Sequence, residues 1–201
     1  AFDRYNNNKD LGWLENSDYK KKIKFILGDI RDYDSVYKSM KNCDAVIHLA
    51  ALIGIPYSYI SPTAYLKTNV EGTLNILESA KNLKVKQVIV TSTSEVYGSK
   101  LTGKLNEQDE VKAQSPYAAS KIAADQLSLS YYRSFNLPIK IIRPFNTFGP
   151  RQSARAVIPT ILTQALKNQK IKIGNLNAIR DFLNISFPSL DSVGEQNSKE
   201  Q

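Results

Sequence analysis

Tyr117 and Lys121 are the first side chains in this sequence that could do chemistry together. Four residues apart, they would lie one turn apart on the same face of a helix. An ammonium beside a phenol favours the phenolate, lowers a phenol pKa of about 10 and allows proton exchange with a substrate hydroxyl. The spacing alone is weak evidence, because 11 tyrosines and 20 lysines in 201 residues produce about one such pair by chance. The chain has three of them: Tyr5/Lys9, Tyr37/Lys41 and Tyr117/Lys121.

A short polar cluster distinguishes Tyr117 from the other two tyrosines. Thr93, Ser94 and Glu95 stand at the end of a predicted strand over 87–93. Ligands of an open parallel sheet bind beyond the carboxyl ends of its strands, so these side chains should meet the start of the Tyr117 helix. Capping of backbone amides by Ser and Thr is the alternative interpretation. The combination predicts five catalytic residues: Thr93, Ser94, Glu95, Tyr117 and Lys121.

The elements that must position this cluster alternate between strand and helix patterns. Strands are predicted at 23–27, 45–51, 87–93 and 139–143, and helices at 32–42, 61–83 and 115–135. The nearly continuous apolar run at 45–51 is typical of a strand buried on both faces. This alternation predicts an α/β fold with a doubly wound, Rossmann-like parallel sheet.

Composition excludes several other classes of protein. With 42% hydrophobic and 23% charged residues the chain is globular, and no apolar run approaches the roughly 20 residues that span a bilayer. One cysteine, Cys43, excludes an internal disulfide and predicts a reducing cytoplasm, and one histidine, His48, leaves too few ligands for zinc. His48 lies in an apolar strand and is expected to be a core or cofactor-adjacent residue. The net charge of +8 fits a Lys-rich solvated surface; we expect no nucleic-acid or membrane partner.

Six motifs occur together and in order, and they carry a family resemblance. They are Gly28-Asp29-Ile30-Arg31-Asp32, His48-Leu49-Ala50-Ala51, Asn69-Val70-Glu71-Gly72-Thr73, Thr93-Ser94-Glu95-Val96-Tyr97-Gly98, Tyr117-x-x-x-Lys121 and Arg143-Pro144-Phe145-Asn146. Over about residues 1–185 the chain resembles the extended short-chain dehydrogenase/reductases of the NAD-dependent nucleotide-sugar epimerase/dehydratase group. Three further segments resemble the 4,6-dehydratases that act on nucleotide-linked N-acetylglucosamine in legionaminic-acid-type biosynthesis: Tyr5-Asn6 with 12–15, 51–59 and 149–155.

The resemblance implies NAD as the cofactor and a set of residues that hold it. Asp3 would bind the adenosine ribose, a role that favours NAD over NADP. Asp29 and Ile30 would bracket the adenine. The pyrophosphate–ribose path would be lined by three residues: Leu49, Ala50 and Ala51.

The resemblance also implies how a nucleotide-sugar substrate is held and changed. Tyr117 would act as acid and base on the sugar 4-hydroxyl, Lys121 would lower its pKa and bind the nicotinamide ribose, and Thr93 would hold the 4-oxygen. Substrate contacts are implied for three further residues: Asn146, Arg151 and Arg180. A homodimer is expected through the two long helices after Ser61 and Ser115.

Glu95 is the residue that bears on the type of reaction. Oxidation at C4 makes the C5 proton acidic, and a carboxylate can remove it before the 6-hydroxyl leaves and hydride returns to C6. Simple 4-epimerases need no such base. Ser94 departs from the dTDP-glucose dehydratases, which have an Asp there, and Thr-Ser-Glu also resembles UDP-glucuronate decarboxylases. A 4,6-dehydratase is therefore favoured, with an epimerase, a decarboxylase or a non-catalytic remnant as alternatives.

Both ends of the chain differ from the complete family pattern. Ala1-Phe2-Asp3-Arg4 suits the end of a second strand, and the first strand with its Gly-rich, pyrophosphate-binding turn is missing. We divide the chain into a partial NAD-binding domain (1–150), a partial substrate domain (151–185) with a helix at 156–168 and a strand at 171–173, and a disordered tail (186–201). The chain by itself is expected to bind NAD weakly, to turn over no sugar and to expose apolar edges such as Val46-Ile47.

Overall fold

The structure, a computed structural model, describes residues 1–4, 12–100, 103–167, 170–174 and 179–185. The predictions on Tyr5/Lys9 and on the 186–201 tail lie outside these residues. Contacts divide the chain into one unit from Ala1 to Pro144 and a second that begins at Phe145. The expected boundary after residue 150 lies close by, and the domain assignment stays a prediction. Within the described ranges, no helix is long and apolar enough to cross a membrane.

The first unit contains two parallel sheets. One pairs β1 (Phe2–Arg4) with β2 (Ile26–Gly28), and the other has the order β3–β4–β5, formed by Ala45–His48, Gln87–Thr91 and Ile139–Ile142. In the middle strand, Val88 and Val90 are fully buried, as expected for a strand covered by helices. The predicted α/β parallel-sheet fold is confirmed.

The described part of the first unit also contains five α-helices. They are α1 (Tyr33–Met40), α2 (Ile55–Ile60), α3 (Pro62–Tyr65), α4 (Gly72–Leu83) and α5 (Pro116–Phe135). The side chains of Asp32 and Ser115 cap α1 and α5 by accepting hydrogen bonds from Asp34 N and Ala118 N, both at 3.1 Å. Helices α4 and α5 end at Lys84 and Asn136, whose φ angles of 54° and 52° are left-handed. Helix α2 was not predicted.

A π-helical segment, Leu66–Glu71, joins α3 to α4. The amide of Gly72 donates to the carbonyl of Lys67, five residues earlier, as in a π-helix. The predicted helix over 61–83 is therefore correct in extent but contains a change of register. Gly72 itself permits close packing, because a Cβ there would lie 2.9 Å from Ile30 Cγ2.

The core of the first unit lies between α4 and the β3–β4–β5 sheet. Leu77 and Ala80 of α4 are fully buried beside Val88 and Val90. The prediction that the 45–51 run is a strand buried on both faces is wrong for β3, which lies at one edge of the sheet: Ile47 is 65% exposed and Val46 is half-buried against the core. The expected exposed edge is therefore present at Ile47 and partly covered at Val46.

The second unit contains parallel strands β6 (Asn146–Phe148) and β7 (Phe182–Asn184) and helix α6 (Val157–Leu166). Helix α6 confirms the helix predicted at 156–168 over its described part. The strand predicted at 171–173 is wrong. The amide of Lys172 donates to the Gln164 side chain (2.8 Å) and its carbonyl accepts from that side chain (3.0 Å), so this segment pairs with α6 instead of a strand.

Candidate active site

A one-turn 3-10 helix, Ser94–Tyr97, follows β4 and places Glu95 next to α5; we call it the 94–97 turn. Thr93 caps the turn, since its hydroxyl accepts a hydrogen bond from the Glu95 amide at 3.2 Å. The Ser94 amide donates to the carbonyl of Pro144, which follows β5, also at 3.2 Å. β4 ends at Thr91, two residues earlier than predicted, because the chain bends into this turn.

The phenol of Tyr117 lies at the start of α5 and is only 7% exposed. The 94–97 turn packs against α5, and the Thr93 side chain and the Glu95 charge both influence the pKa of the phenol. The ring of Tyr65 packs edge-on against the Tyr117 ring with centroids 6.2 Å apart. The structure thus brings Thr93, Glu95 and Tyr117 together, as the strand-end argument predicted.

Lys121 lies one turn further along α5 and is 3% exposed. Its Nζ donates a 2.6 Å hydrogen bond to the carbonyl of Thr91, the last residue of β4. Burial lowers the pKa of Lys121, and the carboxylate of Asp125 opposes this change. The ammonium is therefore anchored to the strand that leads into the 94–97 turn.

The expectation that Lys121 lowers the pKa of Tyr117 is wrong for this structure. Burial raises the pKa of Tyr117, the hydrogen bond with Thr93 opposes the increase, and the negative charge of Glu95 adds to it. The Lys121 ammonium is directed at the Thr91 carbonyl. The protonated phenol is therefore the favoured form in the free site, and Tyr117 must lose this proton before it can accept one from a substrate hydroxyl.

Asn69, in the π-helical segment, is a positioning residue that the sequence reasoning missed. It is 1% exposed, and its side chain accepts from the Leu52 amide (2.8 Å) and donates to the Leu52 carbonyl (2.9 Å). Its Nδ2 also donates to Ser120 Oγ at 2.9 Å, and Ser120 Oγ donates to the Tyr117 carbonyl. The available signal was an amide side chain within the apolar stripe of a predicted helix, where Asn is unfavourable without a partner.

His48 is a buried, neutral residue, as its apolar strand predicted. The Thr73 hydroxyl donates to the Asn69 carbonyl (2.6 Å), so His48 Nε2 must carry the proton in its 3.0 Å contact with Thr73 Oγ1. Burial, together with the positive charge of Lys121, lowers the pKa of His48 to about 4. The imidazole therefore belongs to the structural hydrogen-bond network beneath the site.

The residues expected to hold NAD lie at the carboxyl ends of three strands. Asp3 is exposed on β1, with its carboxylate accepting from the Arg4 amide. Asp29, after β2, is paired with Arg31, whose side-chain hydrogen bonds lower the pKa of Asp29 to about 2. Ile30 is buried against Gly72.

The segment after β3 is the third of these strand ends. Leu49 is 71% exposed, Ala50 is exposed and Ala51 is half-buried. β3 ends at His48, three residues earlier than predicted, which leaves this segment outside the sheet. An ionisable carboxylate at β1 and small or apolar exposed side chains after β3 are compatible with a dinucleotide.

The three residues expected to bind substrate lie in the second unit. Asn146 begins β6, and its side chain donates to the Asp181 carbonyl at 3.4 Å. Arg151 is exposed, with a left-handed φ of 71°. Arg180 is exposed, and its guanidinium donates to the Ile179 carbonyl at 3.4 Å. Their predicted contacts with substrate stay predictions.

Known proteins that resemble the chain include both dehydratases and epimerases. The dTDP-glucose 4,6-dehydratase of Streptomyces antibioticus is 34% identical over 164 residues, which are 81% of this chain and 49% of that protein. The dTDP-glucose 4,6-dehydratase of Streptomyces venezuelae, solved with NAD bound, has a TM-score of 0.79 and 32% identity over 85% of this chain and 53% of its own. The UDP-N-acetylglucosamine 4-epimerase of Methanobrevibacter ruminantium, solved with UDP-N-acetylmuramic acid, has a TM-score of 0.80 and 33% identity. The match covers 88% of this chain and 59% of the epimerase.

A family assignment follows from these matches and from the fold. The chain spans about half the length of the curated relatives it matches. The sequence model of the family described as GDP-mannose 4,6 dehydratase matches residues 1–186. The extended short-chain dehydrogenase/reductase resemblance in the sequence is confirmed, and the chain belongs to the GDP-mannose 4,6 dehydratase family.

Proposed function

We propose that this protein is an NAD-dependent nucleotide-sugar 4,6-dehydratase whose substrate is a nucleotide-linked N-acetylglucosamine. The observation that carries the proposal is that the 94–97 turn, which bears Glu95, packs against α5, which bears Tyr117, with the Glu95 charge acting on the phenol. Two acid–base groups, Tyr117 and Glu95, at the same edge of the sheet suit a reaction that moves one proton at C4 of the sugar and another at C5. A reaction confined to C4 requires only the first of them.

The first step is assigned to Tyr117, with Thr93 and Lys121 in support. As the phenolate, Tyr117 accepts the proton of the sugar 4-hydroxyl, and the Thr93 hydroxyl holds the 4-oxygen. When bound, NAD would supply the reversible hydride chemistry for oxidation at C4 and reduction at C6. Asp3, Asp29, Ile30 and the 49–51 segment would hold this cofactor. The buried Lys121 ammonium contributes a fixed positive charge next to the site.

The second step is assigned to Glu95. Once C4 is a carbonyl, Glu95 removes the C5 proton, and the C6–oxygen bond breaks so that the 6-hydroxyl leaves as water. Glu95 passes the C5 proton to the leaving oxygen, since Ser94 is not an acid of comparable strength. When hydride is added at C6, C5 would take up the proton that Tyr117 accepted from the 4-hydroxyl, so that both protons are accounted for. Ser94 instead hydrogen-bonds through its amide to Pro144 and holds the turn.

A 4-epimerase is the second candidate function. The epimerase of M. ruminantium matches the chain as well as the S. venezuelae dehydratase does, with TM-scores of 0.80 and 0.79. Ser94 in place of an acid also removes the residue that would assist departure of the 6-hydroxyl. In an epimerase, Glu95 would contact the sugar without removing a proton.

Product analysis separates these candidates. The protein in its full natural length is incubated with NAD and, separately, UDP-N-acetylglucosamine, GDP-N-acetylglucosamine, dTDP-glucose and UDP-glucuronate, and products are identified by NMR. A 6-deoxy-4-keto sugar supports the dehydratase, and its substrate identifies the nucleotide. A C4 epimer supports the epimerase, and release of carbon dioxide from UDP-glucuronate indicates a decarboxylase. Absence of any conversion contradicts all three.

A further inference from the structure

A buried charged group that the proposed chemistry does not use lies directly beneath the site. Asp125, one turn after Lys121 on α5, is 1% exposed. Its Oδ2 accepts a hydrogen bond from Arg143 Nε at 3.0 Å and forms an ion pair with Arg143 Nη2, also at 3.0 Å. Arg143 follows β5, so this ion pair joins α5 to the β5 end of the sheet.

The same arginine reaches the 94–97 turn. Arg143 Nη1 donates to the hydroxyl of Tyr97 at 2.8 Å, and the guanidinium carbon lies 5.1 Å from the centre of the Tyr97 ring. Tyr97 is the last residue of the turn and is 6% exposed. Arg143 therefore contacts the two elements that carry Glu95 and the Tyr117/Lys121 pair.

We propose that Asp125, Arg143 and Tyr97 act as positioning residues that hold the 94–97 turn against α5 and keep Glu95 and Tyr117 in register. The inference rests on the proposed function for the roles of Glu95 and Tyr117, and on the observed contacts for the rest. A planar guanidinium suits this task, since it donates to a carboxylate and to a phenol in two directions at once. A lysine at position 143 could make one of these contacts but not both.

Asp125 has a second task, which concerns charge. Two cations, Lys121 and Arg143, are close to the Asp125 carboxylate, and their charges oppose the increase that burial causes in its pKa. The charged or titratable groups that act on Lys121 from neighbouring elements are His48 on β3 and Asp125 on its own helix. Asp125 lies four residues after Lys121 on the same face of α5, and both side chains are buried, so its carboxylate places a negative charge next to the Lys121 ammonium.

Local hydrogen exchange tests the positioning of the turn without substrate or cofactor. In the protein of full natural length, Tyr97→Phe removes one hydroxyl, and exchange measured by mass spectrometry should become about tenfold faster in peptides that contain the Val96 and Gly98 amides. These amides bond to Thr93 O and Glu95 O within the turn. Exchange in β4 should stay unchanged. Tyr132→Phe, at an exposed tyrosine of α5, is the matched control and should change hydrogen exchange neither in the 96–98 peptides nor in β4.

Unchanged exchange at 96–98 in Tyr97→Phe, or an increase spread evenly over the protein, would overturn the positioning role. Arg143→Lys provides a second variant, which keeps the charge and should reproduce the local increase. Where the protein turns over a nucleotide sugar, both variants should lower kcat at least tenfold with KM changed less than twofold. The hydrogen-exchange result does not depend on any activity. If the proposed function is wrong, this experiment still decides whether Asp125, Arg143 and Tyr97 hold the 94–97 turn.

Lysine NMR tests the charge role of Asp125. With 13Cε-labelled lysine, and Lys121→Arg used to assign the signal, Asp125→Asn should move the titration midpoint of Lys121 to lower pH by at least one unit. Asp109→Asn, which breaks the exposed pair with Lys100, is the matched control and should leave the Lys121 midpoint unchanged. An unchanged midpoint in folded Asp125→Asn, or equal shifts in both variants, would refute this role. If Asp125→Asn does not fold, Arg143→Lys still tests the positioning role of Asp125, Arg143 and Tyr97 by hydrogen exchange.

Discussion

Helices α1 and α5 carry the same Tyr-x-x-x-Lys spacing in two different surroundings. On α1, Lys41 Nζ lies over the Tyr37 ring, 5.6 Å from its centre, and Tyr33 stacks on the same ring at 5.8 Å. Lys41 is exposed beyond the end of the helix. This pair is a cation–π contact at the protein surface, worth about 0.5–1 kcal/mol.

On α5, the same spacing is buried beside the end of a parallel strand. Tyr117 and Lys121 are 7% and 3% exposed, and both have altered pKa values because burial disfavours their charged forms. The lysine bonds to the Thr91 carbonyl instead of lying over the tyrosine ring. The comparison teaches that depth and position at a strand end, not the four-residue interval, make a tyrosine–lysine pair a candidate for catalysis.

The largest expected effect is the difference in turnover between variants that lack the Tyr117 hydroxyl and variants that lack the Tyr37 hydroxyl. Tyr117→Phe should reduce turnover of a nucleotide sugar by about 10³- to 10⁴-fold, because the group that exchanges the 4-hydroxyl proton is lost. Tyr37→Phe should change turnover less than twofold, since that half-buried ring contacts Tyr33 and Lys41 and, within the described part of the chain, no candidate site residue. Steady-state rates of the two variants check this. Similar losses in both would mean that stability, not catalysis, has been measured.

The next effect separates two steps within the α5 region. Glu95→Gln should lower formation of the 6-deoxy-4-keto product by about 10²- to 10³-fold, because the C5 base is removed. Stoichiometric reduction of NAD by substrate, followed by its absorbance, should persist because oxidation at C4 comes first. Glu110→Gln, at an exposed glutamate paired with Lys112, is the control. Normal dehydration in Glu95→Gln would contradict the assignment.

A third effect compares two asparagines, Asn69, which hydrogen-bonds to a residue of α5, and Asn82, which hydrogen-bonds to a residue of α1. Asn69→Ala should lower the free energy of unfolding by about 3 kcal/mol, because the buried Leu52 and Ser120 groups lose their partner. Asn82→Ala loses only a hydrogen bond to the exposed Tyr33 hydroxyl and should cost about 0.5 kcal/mol or less. Urea unfolding of both variants measures the difference. Equal costs would show that the network beneath α5 is no more critical than the α1 surface.

The smallest effect is a pH dependence of the free energy of unfolding, which follows from the burial of His48 near α5. His48 is the single histidine, and its pKa falls to about 4 on folding. The unfolded chain therefore binds more protons between pH 6.5 and 4, so stability is full above pH 6.5 and is lost as the pH falls. Unfolding by urea should show a loss of about 2 kcal/mol between pH 7.5 and pH 5. His48→Gln should remove most of it; an unaltered pH dependence would contradict burial as its cause.

Much of the first unit could be predicted because its signals are local. Apolar runs indicated the strands, and Asp32 and Ser115 indicated the starts of α1 and α5 through their capping side chains. Thr93 and Glu95 followed from the rule that sites form at the carboxyl ends of parallel strands. These inferences needed only neighbours in the sequence and one general property of parallel sheets.

The remaining features depend on groups that are distant in the sequence. The direction of the Tyr117 pKa is set by burial and by Glu95, and Lys121 is directed to a carbonyl 30 residues earlier. Asn69 stands in an ordinary helical pattern, and its partners Leu52 and Ser120 come from other segments. Sequence periodicity contains no information on such pairings.

The π-helical segment, Leu66–Glu71, constrains which length changes the chain can tolerate. Such a segment corresponds to one residue more than a regular α-helix needs over the same rise, as if one residue had been inserted. Deleting one residue there would leave a continuous α-helix but rotate the preceding turn by about 100° relative to α4. Tyr65 and Asn69 could then no longer face Tyr117 and Ser120 together. Single-residue deletions in this stretch should therefore be far rarer among functional variants than deletions in the exposed loop before α5.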